Sequence, residues 1–260
     1  MVRASSGLLI LASIAWAQRP TDADAAALIE RTRQKALAYA RSLPDFECTE
    51  VVHRYVDNAP KLRLRMAPTD TLTVRIRYSQ YREEHKLMLV NNRKTTQTFE
   101  SLAGAIGTGE FGATLSAIFD PASQTGFAWA GSRTNAKRQI AQYRYLVDVE
   151  RSRYHIWDGG IGTGRDAVVG YHGMVEMDSE TGEVIRFSYV ADDLPNGLAI
   201  RAVSTTVDYA FANVGGQDYL LPARSESEVR GAEVSARNEI EFREYHKFTA
   251  DSSIQFGPVK

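Results

Sequence analysis

Residues 171–189 read YHGMVEMDSETGEVIRFSY, the order expected of two strands folded back on a turn. Asp178 and Ser179 are side chains that bond forward to backbone amides. Gly182 supplies the left-handed residue that closes a loop of about three to five residues. Tyr171, Gly173, Val175 and Met177 fall on one side of the incoming strand, and Ile185, Phe187 and Tyr189 on the same side of the outgoing one. His172, Glu176, Arg186 and Ser188 take the other side. A sheet with one covered face and one wet face is antiparallel in kind.

Working outward, the covering element is found near the start. The segment TDADAAALIERTRQKALAYARSLPDF (21–46) carries the longest helical pattern in the chain. Thr21 is a capping residue, Asp22 and Asp24 suit the positive end of the helix dipole, and Ala25, Leu28, Ile29, Thr32, Ala36, Tyr39 and Leu43 recur at helical spacing. Pro44 stops it, so a helix is expected over about 22–43. Strand patterns follow: Phe46 to Val56, the alternating Leu72, Val74, Ile76 and Tyr78, then His85 to Val90, then Tyr143, Tyr145, Val147 and Val149. A glycine-rich loop leads into a short helix with Phe111, Leu115 and Ile118 along one side.

The last third alternates through Val203, Thr205, Val207, Tyr209 and Phe211 to a Gly215–Gly216 turn. Asp218 to Leu221, Pro222, the polar segment ARSESEVRG and the strand RNEIEFREYHKF complete it. Tyr245 and Phe248 are out of phase with Ile240 and Phe242, which predicts a bulge near Arg243 and Glu244. One helix and about nine to eleven strands give a mainly β (α+β) fold: a curved antiparallel sheet, or half-open barrel, wrapped around the N-terminal helix. The mature chain, 18–260, is read as a single domain.

The chain opens MVRASSGLLILASIAWAQRP, with Arg3, an apolar run from Leu8 to Ala15, and the small-residue positions Ala15 and Ala17. This is the pattern of a secretory signal peptide over residues 1–17, and it places the mature protein in the periplasm or outside the cell. The run is shorter than the roughly 20 apolar residues of a membrane span, and no later segment is long enough either. With 31 basic against 32 acidic side chains, nucleic acid is not an expected partner. A single cysteine, Cys48, cannot form an internal disulfide; it reads as a small buried hydrophobe, with an intermolecular bridge or reactive thiol as alternatives.

Motifs that carry chemistry are weak. GTGEFG (107–112) spells a dinucleotide fingerprint but lacks the surrounding βαβ unit, and GGIGTGRD (159–166) joins no helix. The five histidines lie on separate segments without zinc-site spacing. No serine occupies a nucleophile elbow, and Glu176, Asp178, Glu239 and Glu241 read as alternating solvated carboxylates. No catalytic residue, metal or cofactor is therefore assigned. Trp129, Trp157 and the many tyrosines suit either a packed core or a ligand-lined cavity. The ligand-facing candidates are Leu28, Ile29 and Tyr39 of the helix with Val175, Met177, Ile185, Phe187 and Tyr189 of the sheet.

The segments FGATLSAIFDP, GMVEMDSETGEVIRFSY, VDYAFANVGGQDYLLPARSESEV and RNEIEFREYHKF, with Pro44, Phe46, Cys48 and Thr49, resemble a group of uncharacterised secreted bacterial proteins. A helix with a curved antiparallel sheet is also similar in architecture to LolA-like lipoprotein carriers, mycobacterial lipid-binding lipoproteins and RseB-like envelope-stress regulators. The expectation is an exported, non-enzymatic binding protein that holds a lipid or other apolar ligand. The alternative is a cell-envelope interaction or regulatory module with a fully packed core and a protein partner.

Overall fold

The computed structural model describes residues 19–57, 66–98, 102, 110–157, 164–232 and 234–248. The signal-peptide segment 1–17, the start of GTGEFG and most of GGIGTGRD lie outside the described residues. The first helix, α1, runs Asp22–Ser42, and the Thr21 side chain accepts the Asp24 amide at 3.1 Å. A second, short helix, α2, covers Ala113–Phe119.

The strands in chain order are β1 (Phe46–Asp57), β2 (Ala67–Ser79), β3 (Arg82–Val90), β4 (Arg93–Lys94), β5 (Gly126–Asn135), β6 (Arg138–Val147), β7 (Tyr154–Trp157), β8 (Asp166–Val169), β9 (Tyr171–Asp178), β10 (Val184–Ala191), β11 (Ile200–Val214), β12 (Gln217–Gly231) and β13 (Ser235–Lys247). Eleven of them form one antiparallel sheet in the order β4-β3-β2-β1-β13-β12-β11-β10-β9-β6-β5. The sheet is open, with β4 and β5 at its edges. The β7–β8 pair stands apart and packs Ile156 and Val169 against Ala191 and Val203.

The β9–β10 hairpin meets α1 at its turn. Asp178 Oδ1 accepts the amides of Glu180 and Thr181 at 2.9 and 3.0 Å, and the Gly182 amide donates to the Asp178 carbonyl at 2.8 Å. Arg31 donates to the Ser179 carbonyl at 3.0 Å, which ties the turn to the helix. The helix turns the small side chains of Thr32 and Ala36 inward, so the backbone of the turn approaches closely. Gly182 has φ +75°, and a Cβ there would sit 3.1 Å from Arg31 Cγ and 3.3 Å from Thr32. Gly182→Val is therefore expected to cost about 1–2 kcal/mol through left-handed strain. A thermal melt compared with wild type checks this.

Glu176 and Asp178, expected as solvated carboxylates, are both buried. β12 runs through the polar segment ARSESEVRG, with Ser225 inward and its neighbours Arg224 and Glu226 outward. Pro222 is tolerated inside this central strand because it sits at a register irregularity opposite Tyr209. On the outer face, Glu176 is buried rather than wet, since Arg133 and Gln142 reach over from β5 and β6 to bond it at 2.5 and 2.9 Å. The expected bulge near Glu244 is present, with φ +57° and a register shift against β1. Cys48 is buried and unbridged, and burial pushes its thiol pKa well up.

Candidate functional site

The sheet's inner face carries two core clusters that α1 spans. Under the helix, Leu28 and Ala36 pack with Val175, Met177, Phe187, Val207 and Tyr209. Toward its C-terminal end, Leu43 and Phe111 pack with Phe46, Ile76, Leu221 and Phe242. Of the sequence candidates, Leu28, Val175, Met177 and Phe187 are buried, and Ile29, Tyr39 and Tyr189 are half-buried against the same cluster. Ile185 stands apart. The register shifts between Val184 and Arg186, so Val184 faces Met177 and packs in the cluster, and Ile185 is half-buried outside it.

The space beneath the helix is filled: Val175 and Met177 are 0% exposed and Phe187 is 1% exposed. Open volume lies instead on the flanks of α1. One cleft, of about 460 Å³, separates the start of α1 from the edge strand; Arg19, Ala25 and Ile29 form one wall, and Phe127, Trp129 and Tyr143 the other. A second, of about 380 Å³, runs between the last turns of α1 and the β11–β12 hairpin, lined by Tyr39, Leu115, Val184, Phe211, Tyr219 and Leu220. Tyr39 spans its floor and donates to the Leu220 carbonyl at 2.8 Å. Phe211 is half exposed at its rim, with the Arg138 guanidinium 5.2 Å from the ring centre. Both volumes fall within the range of small-molecule sites.

A third feature is polar and was not singled out in the sequence. Glu50 occupies the inward slot of β1 between Cys48 and Val52 and is 5% exposed. His85 lies inward on β3, with Nδ1 3.7 Å from Glu50 and Nε2 3.3 Å from Glu83. Burial works against the imidazolium, but the two carboxylates outweigh it and push its pKa up to about 10. Glu110, just before α2, is also buried; its carbonyl accepts the Tyr209 hydroxyl at 2.6 Å. Burial first, then the charge of Glu50, pushes the Glu110 carboxyl up to about 7.

Because the Glu110 pKa is raised in the folded state, its contribution to stability is complete below about pH 4.5 and is lost as pH rises through about 7. Stability should fall across that window, and Glu110→Gln, which stays neutral, should flatten the fall. Urea unfolding of both proteins between these pH values measures the difference. The signal for this cluster was present in the sequence as phase: Glu50 alternates with Phe46, Cys48 and Val52, and His85 with Leu87. Elsewhere, His172 pairs with Asp192 at 2.7 Å and His155 with Asp166 at 2.9 Å, both exposed. Among the described residues, no group of three or more His, Cys, Asp or Glu side chains is placed to hold a metal ion. No described helix is long and apolar enough to cross a membrane.

No protein-family model and no curated protein sequence matches the chain. Among solved structures it is similar to a LolA superfamily protein from Nitrosomonas europaea, at 8% identity, covering 86% of this chain and 94% of that one, with a TM-score of 0.37. A DUF1329 family protein from Desulfovibrio piger matches at 8% identity over 91% and 96% of the two chains, TM-score 0.38. A chain of the MucA/MucB complex of Pseudomonas aeruginosa matches at 10% identity over 82% and 93%, TM-score 0.25. No role passes along likenesses at these identities and scores.

Proposed function

We propose that the chain is an exported, non-enzymatic binding protein that holds a lipid or other apolar molecule in the clefts flanking α1. The observation that supports this is the position of the open volume: the sheet centre is filled, yet apolar and aromatic side chains line an open cleft on each side of the helix. A ligand there adds to the helix–sheet contact without displacing core side chains. The filled centre also favours a second reading, an envelope module whose core is purely structural and whose surface meets another protein.

Native mass spectrometry of protein purified from its own host tests the choice. The binding reading expects a co-purifying apolar molecule that is lost on Phe211→Ser or Trp129→Ser, and a mature N-terminus at Gln18. A bare mass, with unfolding unchanged by added phospholipid or fatty acid, would leave the interaction module.

A further inference from the structure

Tyr143, in the wall of the cleft beside the edge strand, carries an orphaned hydroxyl. Tyr143 lies on β6 with its ring edge-on to Trp129 and is only 2% exposed, and among the described residues its hydroxyl has no hydrogen-bond partner. A buried tyrosine hydroxyl ordinarily finds one, because leaving it unsatisfied costs its hydration. Burial raises the Tyr143 phenol while the Arg19 guanidinium pulls the other way, so the phenol is protonated at neutral pH and Arg19 acts on the same group. Among the described residues Arg19 forms no ion pair, and it lines this cleft.

We infer that this cleft binds an apolar carboxylate, whose carboxylate group takes the Tyr143 hydroxyl and the Arg19 guanidinium while its chain lies against Ile29, Phe127 and Trp129. The inference rests on reading the cleft as a binding site and adds the charge and orientation of the ligand. A donor and a cation together select an anionic acceptor, and hydrogen bonds to charged groups are the stronger ones. The apolar wall fits an aliphatic chain rather than a small hydrophilic anion. Asp22, also at the cleft, opposes an anion; it sits in the first turn of α1, where the helix dipole offsets part of its charge.

Titration calorimetry with dodecanoate, dodecanol and dodecyltrimethylammonium tests it, with Trp129 emission as the reporter of place. Dodecanoate is expected to bind about 10-fold tighter than dodecanol, with an emission change that Trp129→Phe abolishes. Tyr143→Phe and Arg19→Gln should each bring dodecanoate toward the dodecanol affinity, and Asp22→Asn should tighten it. Tyr143→Phe should melt at or above the wild-type temperature, since it removes an unsatisfied buried group; this separates a binding role from a structural one. Dodecanol binding as tightly as dodecanoate overturns the carboxylate assignment while the apolar-ligand reading stands. Tighter binding of the ammonium, or a Tyr143→Phe protein that binds dodecanoate unchanged, also overturns it. If none of the three probes binds, this inference and the reading of this cleft both fall.

Discussion

Phe187→Ala is expected to lower the free energy of unfolding by about 3–5 kcal/mol, the loss typical of a large aromatic removed from a filled core. Phe187 is 1% exposed, stacked 6.4 Å from Tyr189 and tilted 6.1 Å from Tyr209, in the same cluster as Leu28, Val175 and Met177. The cost has two parts: the apolar area returned to water on unfolding is smaller, and the vacated volume cannot be reclaimed by strands on both sides that are fixed by their ladders. Urea unfolding measures it. A loss well under 2 kcal/mol would mean that the sheet centre collapses easily or already adjoins free space, and the filled interior described above would be wrong.

Gly173→Ala is the second large effect, by overcrowding instead of loss. A Cβ at Gly173 would lie 1.8 Å from the Ser188 carbonyl oxygen and 2.7 Å from the carbon, both backbone atoms of the adjacent strand. It would also come within 3.0 Å of the Tyr145 hydroxyl. That hydroxyl crosses over Gly173 to donate to the Ser188 carbonyl at 2.9 Å, so a missing side chain on β9 lets β6 tie itself to β10. No rotamer relieves a clash made by Cβ itself. A destabilisation of about 3 kcal/mol or more is expected, at the upper end for overpacking. Amide exchange should show faster opening along β9 and β10 before other strands. A protein that melts as wild type would show that the two strands separate at this point without cost.

Where the sequence was legible, a local rule and the global fold agreed. Thr21, the two aspartates and Pro44 bound α1 because capping and proline chemistry act within a turn. Gly182 and the bulge at Glu244 were readable for the same reason. Phase was less secure where two apolar residues adjoin: Val184 and Ile185 are both candidates for the inward slot, and the register shift that chooses Val184 depends on how the hairpin meets its neighbours. The ARSESEVRG segment is polar in composition, so apolar phase gave no inward slot there, yet alternation continues through it with Ser225 buried. Helix and sheet candidates came together under α1. The clefts did not announce themselves: Trp129 and Tyr143 are neighbours across the β5–β6 ladder, but the opposing wall comes from α1, far away in sequence, and Phe211 and Leu115 line one cleft from β11 and α2. Glu50, His85 and Glu110 likewise come from three segments: phase turns the first two inward, but only the fold brings the three together.

The pairing of β1 with β13 has a consequence for the order in which the chain assembles. These strands lie near opposite ends of the sequence, and their ladder is the seam that joins the β1–β4 meander to the rest of the sheet. A nascent chain emerging from the ribosome exposes β1 before every other strand of the sheet and β13 after all of them. Throughout that interval one side of β1 is an unpaired template, open to pairing with any other extended segment, and only the final strand of the sheet closes it. A closing contact this distant in sequence carries a larger loop-closure cost than a hairpin, and loss of β13 removes the strand that hydrogen-bonds the β1–β4 meander to β12.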